Sequence, residues 1–179
     1  MSKQVLVIST SPRKGGNSDT LADEFVRGAQ EAGNNVEKIA LYDHTIGFCK
    51  GCLACQKTQR CVIRDDADTI AQKMLTADIL VFATPIYYYG ICGQMKTMLD
   101  RANPLFSADY QFRNIYLLAA AAEENEHTAD GAVTALQGWI DCFEKSRLSG
   151  IIFAGGVTSV GDIRNHPALK KAYEMGRAV

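Results

Sequence analysis

Short, unbroken apolar runs alternate with amphipathic stretches along the whole chain, and this rhythm admits few architectures. The runs are Gln4–Ser9, Val36–Leu41, Ile79–Thr84, Asn114–Ala122 and Ser149–Ala154. Apart from the second, which carries Glu37 and Lys38, they are rich in Val, Ile, Leu and Ala and do not alternate with polar residues, as strands buried on both faces do. Between them lie segments of helical period. Ser18–Ala32 carries Leu21, Ala22, Phe25, Val26 and Ala29, with Asn17 or Ser18 as cap and Gly33 as terminator. Ala67–Ala77 follows the cap Asp66, and Ile91–Ala102 closes at Asn103-Pro104. Thr128–Lys145 is a fourth helix, and Pro167 opens a fifth that runs to about 177.

Strands buried on both faces and joined by helices form a parallel sheet between two helical layers. Five such strands predict a doubly wound, flavodoxin-like α/β fold in the order 2-1-3-4-5. The 179 residues suit a single domain, with a cysteine-rich excursion at about 42–65. Ligands of such sheets sit beyond the carboxyl ends of the strands, so the loops after the first, third and fourth strands are where chemistry is expected. With 19 Lys+Arg against 20 Asp+Glu, the chain lacks the basic excess of a nucleic-acid binder or a polybasic membrane anchor. No apolar run is long enough for a signal sequence or a membrane span, so a cytoplasmic location is expected.

The first loop, Ser9-Thr10-Ser11-Pro12-Arg13-Lys14-Gly15-Gly16-Asn17-Ser18, offers hydroxyls, an amide, cations and glycines at a helix N-terminus. That combination makes a phosphate cradle, or else a polar turn with a cap. Neither G-x-G-x-x-G nor the Walker pattern is present, which excludes a Rossmann-type dinucleotide site and a P-loop nucleotidase. After the third strand, Thr84-Pro85-Ile86-Tyr87-Tyr88-Tyr89-Gly90 places three tyrosines at the ligand edge. They suit either a wall for a flat aromatic ligand or a packing surface. Ala119–Glu124, after the fourth strand, leaves room for a bulky group.

Four of the six cysteines fall at Cys49, Cys52, Cys55 and Cys61, spaced C-x2-C-x2-C-x5-C. This arrangement is open to an iron–sulfur cluster, to a redox disulfide or free thiols, and to zinc. Cys92 and Cys142 lie on apolar helical faces and are expected in the core. His44, His127 and His166 are expected at the surface or as caps, and Lys96, Asp100 and Arg101 as an ion pair on a helix surface.

Together these segments resemble the NAD(P)H-dependent FMN reductase and iron–sulfur flavoprotein group. The resemblance rests on Ser9–Ser18, on the cysteine loop with Cys61–Asp66 after it, on Thr84–Tyr87, and on Lys96 through Asp100-Arg101. It implies FMN, with its phosphate at Ser9, Ser11, Arg13, Asn17 and Ser18 and its ring against Thr84, Pro85, Ile86, Tyr87, Tyr88 and Gly90. It implies a [4Fe–4S] cluster on Cys49, Cys52, Cys55 and Cys61. It also implies a homodimer or homotetramer that passes electrons from NAD(P)H, or from a ferredoxin-like donor, to a quinone, a flavin or another small acceptor. A flavodoxin-type electron carrier is the alternative. No catalytic acid or base is expected from the protein, because the flavin carries the chemistry.

Overall fold

In a computed structural model describing residues 2–179, β1 (Gln4–Ser9) has a parallel partner on each side. One is β2 (Asn35–Ala40) and the other β3 (Ile79–Tyr87), and the sheet continues outward through β5 (Asn114–Ala120) to β6 (Arg147–Ala154). The order is therefore β2-β1-β3-β5-β6, all parallel. The two-residue strand β4 (Gly90–Ile91) pairs antiparallel with the end of β3.

The five-stranded expectation is thus corrected to six strands. Tyr88 and Tyr89 form a two-residue turn, both with positive φ (48° and 62°), which folds Gly90–Ile91 back onto Ile86–Tyr87. Such turns favour Asn-Gly, so two tyrosines gave no hairpin signal. β3 also runs past Pro85, where the apolar run was expected to stop. β1 pairs only as far as Ala83, so beyond it β3 has lost one parallel neighbour and a proline interrupts no ladder on that side.

Successive side chains of a strand face opposite layers. In β1, Leu6 and Ile8 pack with α3 (Asp66–Thr76), α4 (Gly93–Arg101) and α5 (Asp130–Ile140). Val5 and Val7 pack with α1 (Asn17–Glu31) and α6 (Pro167–Arg177). Both faces being covered is why the strands read as continuous apolar runs. α5 ends at Ile140, five residues before the expected Lys145, and is preceded by a 3-10 turn at Glu126–Ala129. The chain turns after Ile140 so that Phe143 enters an aromatic cluster with Tyr110, Phe112 and Trp139. A single helical turn, α2 (Cys55–Thr58), lies inside the cysteine loop.

α1 and α6 cross at their glycines. A Cβ on Gly28 would lie 2.1 Å from the Tyr173 carbonyl oxygen, and one on Gly176 would lie 2.1 Å from that of Phe25. Backbone cannot yield as a side chain can. Gly28→Ala gains up to about 1 kcal/mol of helix propensity but forces the helices apart. Overpacking of this kind costs roughly 1–3 kcal/mol, so urea denaturation should show a net loss of stability.

Candidate functional site

Four strand ends converge on one cleft of about 380 Å³. Ser11, Arg13, Asn17 and Ser18 come from the loop after β1 and the start of α1. Pro85, Ile86 and Tyr87 come from β3, Ala120, Ala121 and Ala122 from the end of β5, and Val157 and Thr158 from the loop after β6. The position is the switch point of the sheet, where successive connections leave in opposite directions.

The loop after β1 is shaped by its own hydroxyls. Ser11 Oγ donates to the Arg13 carbonyl at 2.9 Å and accepts the Arg13 N–H at 3.1 Å. Gly16 is the N-cap of α1 and supplies no side-chain cap. A Cβ there would lie 2.6 Å from Ser11 Oγ and 3.0 Å from the Arg13 carbonyl oxygen, so a side chain at this position would crowd the loop. Ser18 is 1% exposed, lines the cleft, and its Oγ has no hydrogen-bond partner. An unpaired buried hydroxyl costs on the order of 1–3 kcal/mol. Here it stands beside the free N–H groups of a 15-residue helix, a combination that suits an anion.

Other expected residues act indirectly. Arg13 Nη2 donates to the Thr158 carbonyl at 3.0 Å. Asn17 Nδ2 donates to the Ser159 carbonyl at 3.0 Å, while its Oδ1 accepts the Ile163 N–H at 3.3 Å. Both side chains tie the first loop to the loop after β6, which sequence reading did not include. The available signal was Gly155-Gly156, directly after the last strand. Asp162 holds that loop by accepting the Thr158 and Ser159 N–H groups, and these bonds keep its carboxyl below the usual range. Ser9 and Thr84 are fully buried beneath the cleft. Ser9 Oγ lies near the Asp19 carboxylate without a well-formed bond. Tyr88 is fully exposed and does not line the cleft, and Gly90 belongs to β4.

A second cleft, of about 410 Å³, gathers Cys49, Cys52, Cys55 and Cys61. Leu99, Trp139 and Phe143 give it apolar walls. Gly51 donates its N–H to Cys49 Sγ at 3.4 Å, and Asn103 Nδ2 donates to Cys55 Sγ at 3.0 Å. Among the described residues no three His, Cys, Asp or Glu side chains are placed to hold one metal ion. Cys142 lines the same cleft and is exposed, which corrects its expected core position. It lies beyond the end of α5, where the helical face no longer continues. Cys92 is buried as expected, against Thr10 and Thr84.

The two flanks of the cysteine loop are pinned by one ion pair. Arg101 was expected on a helix surface; its side chain is instead fully buried. Its two terminal nitrogens meet the two Asp65 carboxylate oxygens, each at 2.7 Å. They also donate to the Gly47 and Ile63 carbonyls, before and after the cysteines. Asp65 in turn caps α3 through the Ala67 N–H and accepts the Gly47 N–H. Burial alone would raise the Asp65 carboxyl, but Arg101 and the Gly47 and Ala67 N–H groups together outweigh this and hold it low. Lys96 and Asp100 do pair on the surface, at 2.6 Å. His166 caps α6, as a cap reading anticipated.

Residues 4–154 match the family described as NADPH-dependent FMN reductase. An iron–sulfur flavoprotein of Methanocaldococcus jannaschii is 38% identical over 111 residues, 62% of this chain and 57% of that protein. Another, from Methanosarcina thermophila, is 28% identical over 162 residues, 90% of this chain and 82% of that protein. The match spans 57% and 43% of the first two curated relatives. An NAD(P)H:quinone oxidoreductase from Methanothermobacter marburgensis has the same fold, with a TM-score of 0.77 at 18% identity. That likeness covers 99% of this chain and 96% of the other.

Replacing Asp65 by Asn should cost about 3–5 kcal/mol in chemical denaturation, because Arg101 is left buried without its counter-charge. The native Asp65 pKa lies below its unfolded value near 3.9. Its contribution is therefore complete above that value and fades as pH falls through the native pKa. D65N should accordingly flatten the acid limb of the stability profile.

Proposed function

The chain belongs to the NADPH-dependent FMN reductase family, and on that premise we propose that it is an FMN-dependent oxidoreductase. It passes electrons from NAD(P)H to a quinone, a flavin or another small acceptor. The observation that carries this reading is the buried, unpartnered Ser18 hydroxyl at the N-terminus of α1, inside a cleft fed by four strand ends. FMN supplies hydride and single-electron chemistry when bound.

The protein binds, orients and shields. Ser18 and the first N–H groups of α1 would meet the phosphate, with Ser11 shaping the loop and the Arg13 cation at the rim. Pro85, Ile86 and Tyr87 form a wall for the ring. Ala120–Ala122 leave space opposite, and Val157–Thr158 close the far side against water. The exposed Tyr88 and Tyr89 extend the aromatic surface outward, toward an acceptor or a second subunit of a homo-oligomer. The electron-carrier alternative is not favoured, because the matching family is one of reductases.

A [4Fe–4S] cluster is a second cofactor reading, supported by four thiols in one apolar cleft and by N–H donors on two of the sulfurs. Cys49, Cys52, Cys55 and Cys61 would hold it, and it would supply single-electron transfer from a ferredoxin-like donor.

Purified protein should retain FMN and oxidise NAD(P)H with a quinone acceptor; a protein that binds no added FMN would overturn the reading. Ser18→Ala should weaken FMN binding by about 10–100-fold, the scale of a hydrogen bond to a charged group, and Arg13→Ala should weaken it less, through the lost rim cation and the lost tie to Thr158, both measured by flavin fluorescence titration. Anaerobic preparations should carry about four irons per subunit with a broad absorbance that dithionite bleaches. Flavin bands alone would remove the cluster and leave the reductase.

A further inference from the structure

Asp19 has no part in the reading above. It sits in the first turn of α1, one residue after Ser18, and is 2% exposed. Its Oδ2 accepts the Gly15 N–H at 3.0 Å. Gly15 has φ +64°, a conformation that side-chain-bearing residues rarely adopt. The carboxylate therefore holds the turn that opens the cradle. Its charge, however, lies at the helix end where an anionic ligand would sit, so two anions compete for one positive dipole end.

Lys38, on β2, resolves that conflict. Its Nζ lies 2.7 Å from Asp19 Oδ1 and 2.5 Å from Asp23 Oδ1. Burial alone would raise the Asp19 carboxyl, but its contacts with Lys38, Ser9 and the Gly15 N–H together hold it below the usual carboxylate range. Lys38 does not line the cleft, so it offsets the carboxylate without touching a ligand.

We propose that Asp19 and Lys38 are a positioning pair for the phosphate of the ligand: Asp19 shapes the loop, and Lys38, shared with the more exposed Asp23, offsets the buried charge that would repel a phosphate. This rests on the phosphate-cradle reading of the cleft. The test compares FMN with riboflavin, which lacks the phosphate, by fluorescence titration of the full chain. Lys38→Met should weaken FMN about tenfold or more through the uncancelled charge and leave riboflavin unchanged. The double variant K38M/D19N should restore FMN binding, because the buried opposing charge is gone and only the solvent-screened Asp23 carboxylate remains. Asp19→Asn alone keeps an acceptor for Gly15 and should bind FMN at least as tightly as the native protein; this variant serves if K38M does not fold. Equal losses for both flavins in K38M, or weaker FMN binding by D19N, would reduce the pair to a structural role and overturn the proposal. A native protein with no preference for FMN over riboflavin would instead refute the cradle itself, and the pair with it.

Discussion

β1 needs a parallel partner on both sides, and the rest of the molecule follows from that need. Its backbone pairs with β2 from Gln4 to Ser9 and with β3 from Val5 to Ser9. Parallel neighbours cannot be joined by tight turns, so each connection carries a helix across a face. The chain leaves β1 in one direction to reach β2, then returns across it to β3. The loops after β1 and β3 therefore diverge above the sheet and leave a crevice. Beyond the ladder, the Thr10 N–H and hydroxyl both bond the Ala83 carbonyl, at 2.8 and 2.9 Å. These bonds fix the floor of the cleft at the point where it opens.

The cysteine loop depends on a different interaction. Residues 47–63 contain little regular structure beyond α2 and offer few apolar side chains to a core. What holds their ends is Arg101, buried and shared between Asp65 and two backbone carbonyls. A bidentate guanidinium suits this task because it satisfies several acceptors in one plane. The loop between those pins can present its thiols without packing tightly itself. A second carboxylate, Asp68, steadies Cys61 by accepting its N–H while paired with Arg60.

The tyrosine hairpin is a strained part of the backbone. Two adjacent non-glycine residues in the left-handed region cost roughly 1–2 kcal/mol each, yet their side chains lie largely exposed. The hairpin is held from below, where Gly131 of α5 approaches so closely that a Cβ would lie 2.2 Å from the Tyr89 carbonyl oxygen. Both rings face outward, so burial of the aromatic side chains does not offset the strain.

The sequence by itself determined the layered α/β architecture, because the unbroken runs at Gln4–Ser9 and Ile79–Thr84 can only be strands covered on both faces. It also marked Ser11, Arg13, Asn17 and Ser18, since polar residues and glycines between a strand and a helix have a fixed place in such folds. What it left undecided depends on contacts distant in the chain. The fate of Arg101 turned on Asp65, 36 residues away, and a helical wheel could show only its neighbours on α4. The role of Asn17 depended on Ser159 and Ile163, more than 140 residues on. Cys142 left the core because α5 ended early to place Phe143 among the aromatics. Local pattern determines elements through backbone geometry, whereas a buried charge or a strained turn is tolerated only because of the groups that tertiary structure brings beside it.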